Sequence, residues 1–176
     1  MEEHQRVFKL ASILLHYPDQ EWVADEDLWW EVQALENRTV REKFSHFLAY
    51  LKETPMEGIC ENYVDTFDLN DKTTLYLTYT IFGENQERGS AFLKLKDEFY
   101  AADLPLEDDE LPDFLPLILE FASIARDDFT QKVFLIHKRA IDQLLTELVQ
   151  SGNPYQWVLE ACTMAIDSFL EDRKAS

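Results

Sequence analysis

Between Tyr63 and Glu120 lie the residues whose types and spacing could do recognition chemistry. Tyr63, Asp65, Thr66, Phe67 and Asp68 come together at the end of a helical pattern. Tyr76 and Tyr79 follow, and Glu110, Asp113 and Glu120 surround a double-proline turn. Carboxylates hold guanidinium and ammonium groups by charge-assisted hydrogen bonds, and a tyrosine offers an apolar ring with a polar tip. Beside apolar side chains they suit an extended or helical peptide that carries both basic and apolar residues. The candidate peptide-binding residues are therefore Tyr63, Asp65, Phe67, Asp68, Tyr76, Tyr79, Glu110, Asp113 and Glu120. The same types also suit a structural part, with Phe67 and the tyrosines in the core and the aspartates capping helices.

Other chemistry finds no template. There is no C-x-x-C or H-x-x-x-H spacing for a metal, and the four histidines are scattered. Asp68-Leu69-Asn70-Asp71-Lys72-Thr73 begins like a calcium loop, but Lys72 stands where a ligand belongs and Thr73 where the turn glycine belongs. Gly83 and Gly89 bracket Glu84 to Arg88 with no strand before them and no G-K-[ST] after them, so they form no phosphate loop. Gly89-Ser90-Ala91 is not a nucleophile elbow. Carboxylates are plentiful, yet none is set apart as an acid–base pair. The expectation is a binding protein with no catalytic residue, no metal and no cofactor of its own.

Charge narrows the partner. The 176 residues carry 35 acidic and 16 basic side chains, a net charge of -19. The densest basic stretch, Lys132, Lys138 and Arg139, sits among acids. Nucleic acid and anionic lipid would be repelled. A positively charged partner fits, and so does acidity that merely keeps the protein soluble. Cys60 and Cys162 suggest no disulfide framework, and a reducing compartment is expected. Met1-Glu2-Glu3-His4 does not open like a signal peptide, and no apolar run approaches the roughly 20 residues that span a bilayer. These features predict a cytoplasmic protein without membrane insertion. The oligomeric state has no signature in the sequence.

The elements that must position these residues read as helices. Val7, Leu10, Ala11, Leu14 and Leu15 recur at helical spacing until Tyr17-Pro18. Trp22, Trp29 and Trp30 are expected as core or helix-contact aromatics rather than a ligand cage. Thr39 to Glu42 reads as a capping box before Phe44, Phe47, Leu48 and Leu51, and Thr54-Pro55 opens a helix running to about Thr66. Thr74 to Phe82 is strand-like in composition, but its spacing and the lack of a second strand predict a helix stopped by Gly83. Gln86 to Ala102 follows, with Phe92, Leu95 and Phe99 on one face. Leu104-Pro105 and Glu107 to Glu110 read as a solvated loop.

Asp113 is placed to cap the next helix, whose apolar face would be Leu115, Ile118, Leu119, Ala122 and Ala125. Asp127-Asp128 starts a helix carrying Phe134, His137, Ile141, Leu144, Leu145 and Leu148, with His137 a satisfied core or boundary residue. Gly152-Asn153-Pro154 separates it from a last helix lined by Val158, Ala161, Cys162, Ala165 and Phe169. The whole predicts an all-α protein: one domain over residues 1–176, a single bundle of about eight helices.

Several of these segments resemble the NarJ family, the delta-subunit assembly chaperones of respiratory nitrate reductase. Tyr63-Val64-Asp65-Thr66-Phe67-Asp68-Leu69 is similar to the family's Y-V-x-T-F-D segment, and Leu75-Tyr76-Leu77-Thr78-Tyr79 to its L-Y-L-T-Y segment. Gly83, Arg88 and Gly89 resemble its glycine-arginine turn, with Glu84 and Gln86 where an aspartate and a second arginine are usual. Glu110-Leu111-Pro112-Asp113-Phe114-Leu115-Pro116 and Leu119-Glu120-Phe121 match its E-L-P-D-[YF]-L-P…L-E-F signature. The related TorD and DmsD chaperones carry a histidine where Phe114 stands.

The resemblance implies a NarJ/TorD-like helical fold. It also implies a chaperone that binds the apo alpha subunit of nitrate reductase, including its leader-like N-terminal peptide. On this resemblance, molybdenum cofactor and iron–sulfur cluster would be inserted while the alpha subunit is held in the cytoplasm. Other possibilities are a chaperone for a different molybdoenzyme, a direct carrier of the molybdenum cofactor, or a structural subunit of the mature enzyme. The carrier would need basic side chains or helix N-termini for the phosphates, which suits a chain of charge -19 poorly.

Overall fold

The computed structural model describes residues 1–83, 85–104, 106 and 110–176. It is all-α as expected, but the described residues divide into ten α-helices rather than eight. They are α1 (Glu3–Leu14), α2 (Gln20–Val23), α3 (Glu26–Gln33), α4 (Arg38–Glu53), α5 (Met56–Tyr63), α6 (Leu77–Phe82), α7 (Glu87–Ala101), α8 (Leu115–Ala122), α9 (Asp127–Gln150) and α10 (Tyr155–Ala175). A π-helical turn, Val64–Asp68, extends α5, and a 3₁₀ turn, Asp71–Thr73, follows it. The surplus over eight comes from the short α2 and α3, into which the tryptophan stretch folds.

α10 is the central element. Tyr155, Val158, Leu159, Ala161, Cys162, Ala165, Ile166, Phe169 and Leu170 are buried on more than one of its faces, because α1, α4 and α9 all pack on it. Its apolar stripe is as expected, and Cys162 is a fully buried small side chain. α1 lies between α10 and α8. The Ser12 hydroxyl donates to the Pro116 carbonyl at 2.7 Å, fixing α1 against the start of α8. One hydrophobic cluster runs from Val7 to Leu170.

Several local expectations are corrected. α4 is capped by Asn37, whose side chain accepts from Val40 N–H, and not by Thr39. Pro55, not Thr54, is the cap residue of α5. The helix expected from Thr74 begins only at Leu77, because Thr74 to Tyr76 is extended and Tyr76 forms an antiparallel bridge with Phe114. Gly83 does stop α6, at φ 57 and ψ -131, a conformation that costs little only without a Cβ. Trp29 and Trp30 are 47% and 64% exposed, so they are not core. Leu28 and Val32, one turn apart, take the inward face of α3 instead. The predicted loop at Pro105 and Glu107 to Asp109, like Glu84, lies outside the described residues.

His137 is buried on α9 as a core residue, and its Nε2 finds no hydrogen-bond partner among the described residues. Burial pulls its pKa down to about 4. The folded pKa lies below the unfolded one, so this contribution to stability is complete above about pH 6.5. It is lost as the pH falls toward 4, at roughly 1.4 kcal/mol per unit. Wild type should therefore melt at a lower temperature at pH 5 than at pH 7, and His137→Leu should shrink that difference. An unchanged difference in thermal melts would show that His137 does not carry the effect.

Candidate peptide-binding site

The site is built around a backbone irregularity. After α5 the Leu69 amide donates to the Val64 carbonyl at 3.0 Å, five residues back, so the chain widens into the π-turn. The disturbed polar groups find partners nearby. The Thr73 hydroxyl donates to the Thr66 carbonyl, and Asn153 Nδ2 donates to Thr66 Oγ1 at 2.7 Å. The turn buries Thr66 and Phe67 and leaves Asp65 and Asp68 exposed.

Tyr63 and Phe67 point inward. Their rings lie 4.9 Å apart, and each packs on Tyr155, at 5.9 and 4.7 Å. The Tyr63 hydroxyl donates to the Leu15 carbonyl at 2.9 Å and ties the turn to the end of α1. At 5% and 4% exposure neither can touch a peptide in this conformation; they support the surface from beneath.

Asp113 also departs from expectation. It is fully buried and does not cap α8, whose N-cap is Phe114. Its Oδ2 accepts from the Thr78 amide at 3.0 Å and the Thr78 hydroxyl at 2.6 Å, capping α6 from 35 residues away. The Asp113 carbonyl accepts from Leu77 N–H at 3.1 Å, and Leu115 N–H donates to the Leu75 carbonyl at 2.9 Å. Arg88 of α7 completes the knot. Its Nε donates to Thr78 Oγ1 at 2.9 Å, and its guanidinium lies 3.6 Å from Asp113 Oδ2. The guanidinium also sits 5.4 Å from the centre of the Tyr79 ring and 4.9 Å from that of Phe92. Tyr79 is thus occupied with Arg88 and borders a different cleft, toward Lys138 and Arg139 of α9.

The knot holds the bridge, and the bridge presents the surface. Tyr76 stacks on Phe114 at 5.1 Å, and its hydroxyl donates to Glu110 Oε1 at 3.2 Å. Burial pushes the Tyr76 phenol up to about 12, and Glu110, Asp113 and Asp68 add to the rise. Burial raises the Tyr63 phenol as well, with Asp68, Tyr76 and Glu110 contributing. Tyr76 and Glu110 thus form an acidic, phenol-bearing patch, with Asp68 exposed on the π-turn.

Beside the patch a groove of about 580 Å³ runs between α1 and α8. Ile13, Trp22 and Ile124 give it apolar walls, Asp19 and Glu120 an acidic rim, and Lys9 lies within its lining. Two aromatic contacts join groove to patch: His16 on Phe114 at 6.1 Å and Tyr17 on Tyr63 at 5.5 Å. Of the nine residues predicted, Glu120 lines the groove, Tyr76 and Glu110 hydrogen-bond to each other, and Asp68 is exposed on the π-turn. Asp65 is exposed on the π-turn, Tyr79 faces elsewhere, and Tyr63, Phe67 and Asp113 lie below. Sequence reasoning missed His16, Tyr17, Trp22 and Arg88. The helix stop at Tyr17-Pro18 marked where α1 ends, but nothing local reveals that this end meets Phe114.

The family model for the nitrate reductase delta subunit matches residues 33–156, which include the π-turn, the bridge and most of the helical core. The chain belongs to the nitrate reductase delta subunit family. Among its relatives is the protein named "Probable nitrate reductase molybdenum cofactor assembly chaperone NarJ" of Bacillus subtilis. It is 35% identical over 167 residues, covering 94% of this chain and 91% of that one. The similarly named NarW of Escherichia coli is 27% identical, over 94% of this chain and 70% of its own. The "Nitrate reductase-like protein NarX" of Mycobacterium tuberculosis is 28% identical over 155 residues, which is 88% of this chain but only 23% of that protein. This chain thus aligns with only part of that much longer polypeptide. Among the described residues no helix is long and apolar enough to cross a membrane, and no group of side chains could hold a metal ion.

Proposed function

We propose that this chain is a non-catalytic assembly chaperone that binds the apo alpha subunit of respiratory nitrate reductase in the cytoplasm. It holds that subunit, in part by its N-terminal leader-like segment, while molybdenum cofactor and iron–sulfur cluster are inserted. Membership of the delta subunit family supports the chaperone role, as do relatives named for molybdenum cofactor assembly. The observation that carries the peptide contact is the groove under Glu120, linked through His16, Phe114 and Tyr76 to Glu110. Apolar walls would take the apolar side chains of a leader, and the carboxylates its basic ones. The chain acts as one domain, consistent with the hydrophobic cluster that spans it.

Calorimetric titration tests this with a peptide copied from the alpha subunit's N-terminus, against a scramble of equal charge. Specific binding of about -8 kcal/mol or better, micromolar or tighter, is expected. Equal binding of the scramble would reduce the contact to bulk charge attraction. Asp65→Ala combined with Asp68→Ala should weaken binding about tenfold, or about 1.4 kcal/mol, with an unchanged melting temperature because both side chains are exposed. Unaltered affinity would remove the π-turn from the site.

A further inference from the structure

A second apolar surface lies on the other side of α2. Trp29 and Trp30 stand outward on α3, their rings 4.6 Å apart and nearly perpendicular. With Val23, Leu28, Leu48 and Leu51 they line a groove of about 460 Å³ that shares no residue with the groove between α1 and α8. The fold does not need these indoles, since Leu28 and Val32 already anchor α3. Tryptophan is mostly buried in folded proteins and is enriched where a partner docks.

The charge along this stretch of chain is one-sided. From Asp19 to Asn37 there are seven acidic residues and no lysine or arginine. Four of the seven, Asp25, Glu26, Asp27 and Glu31, flank the indoles along the chain. Asp25 spends one oxygen capping α3, and Glu31 pairs with Arg6 at 3.5 Å. Lys52, across the groove, is the cation among the described residues of its lining. Indole faces attract guanidinium groups, and carboxylates at their edge accept its N–H groups in pairs. Apolar walls below accept neighbouring aliphatic side chains.

We propose that the Trp29–Trp30 groove is a second docking site, for a peptide segment carrying arginine beside apolar residues. The arginine stacks on an exposed indole and pairs with the acids of α3. The site rests on the reading of the chain as a peptide-binding chaperone, and its lining shares no residue with the proposed leader groove.

The test uses the full chain and the probe peptide acetyl-Leu-Arg-Leu-Leu-Arg-Leu-amide. Its counterpart with citrulline for arginine keeps the shape without the charge. The arginine peptide should shift tryptophan emission to the blue and bind at least tenfold tighter than the citrulline one. Trp29→Ala with Trp30→Ala should cost at least tenfold in its affinity while leaving binding of the alpha-subunit N-terminal peptide unchanged. Asp68→Asn with Glu110→Gln should do the reverse, so failure of one site is distinguishable from failure of the other. Equal affinity in the tryptophan variant overturns the proposal, as does equal binding of the citrulline peptide. Sedimentation showing a dimer that the tryptophan variant abolishes also overturns it, in favour of self-association. An emission shift with phosphatidylcholine vesicles and none with peptide overturns it in favour of a membrane surface.

Discussion

Asp113→Ala is expected to destabilise the protein by about 3–5 kcal/mol, the usual cost of removing one partner from a buried ion pair. The carboxylate is fully buried, and three groups depend on it: the Thr78 amide, the Thr78 hydroxyl and the Arg88 guanidinium. Without it α6 loses the cap that satisfies its first turn, and among the described residues Arg88 keeps Thr78 and the two aromatic rings. Asp113→Asn should cost less, because its amide oxygen can still accept from Thr78, but it leaves the guanidinium without its counter-charge. Arg88→Ala should fall between the two, since Arg88 is partly exposed and the α6 cap survives. Denaturant unfolding of the three variants checks the order. An Asp113→Ala variant within about 0.5 kcal/mol of wild type, the range of an unremarkable surface change, would mean that the knot does not hold the bridge.

The second large effect concerns Tyr155. It is fully buried at the start of α10, with Phe47, Tyr63 and Phe67 packed around its ring at 4.9, 5.9 and 4.7 Å. Tyr155→Ala should cost about 3–5 kcal/mol, because neighbours anchored on three other elements cannot all collapse into the space. The hydroxyl behaves differently. It is buried without a hydrogen-bond partner among the described residues, so Tyr155→Phe should be neutral or slightly stabilising. Melting of the pair separates ring from hydroxyl. A Phe variant as damaged as the Ala variant would mean that the hydroxyl has an essential partner. Because Tyr63 and Phe67 brace the π-turn from this cluster, Tyr155→Ala should also loosen the surface that carries Asp68.

Both effects arise where sequence and structure part company, and the reason is range. Periodicity over 20 residues or more is self-averaging, so the stripes of α9 and α10 were legible, as was the stop at Gly83. α3 has only eight residues, four of them apolar. Spacing alone could not say whether the Leu28–Val32 pair or the Trp29–Trp30 pair faces in. Asp113 stands two residues before α8, where an N-cap pattern is natural, yet its side chain serves α6. No local pattern encodes a partner 35 residues away. The π-turn is one extra residue in a helical register, invisible to a stripe of alternating polarity. For the site, residue chemistry pointed to the right stretch of chain. It could not sort Asp68, Tyr76, Glu110 and Glu120, which reach the surface, from Tyr63, Phe67 and Asp113, which hold it up.

The role itself is tested most directly by what the chain carries in cells. Affinity-tagged chain, purified from cells making nitrate reductase, would be weighed by native mass spectrometry and assayed for molybdenum and iron. The expected result is a complex with the alpha subunit whose mass and metal content show the molybdenum cofactor missing, and no such complex with the finished enzyme. Recovery of the chain in fixed ratio with fully loaded, active enzyme would contradict it and make the chain a resident subunit instead.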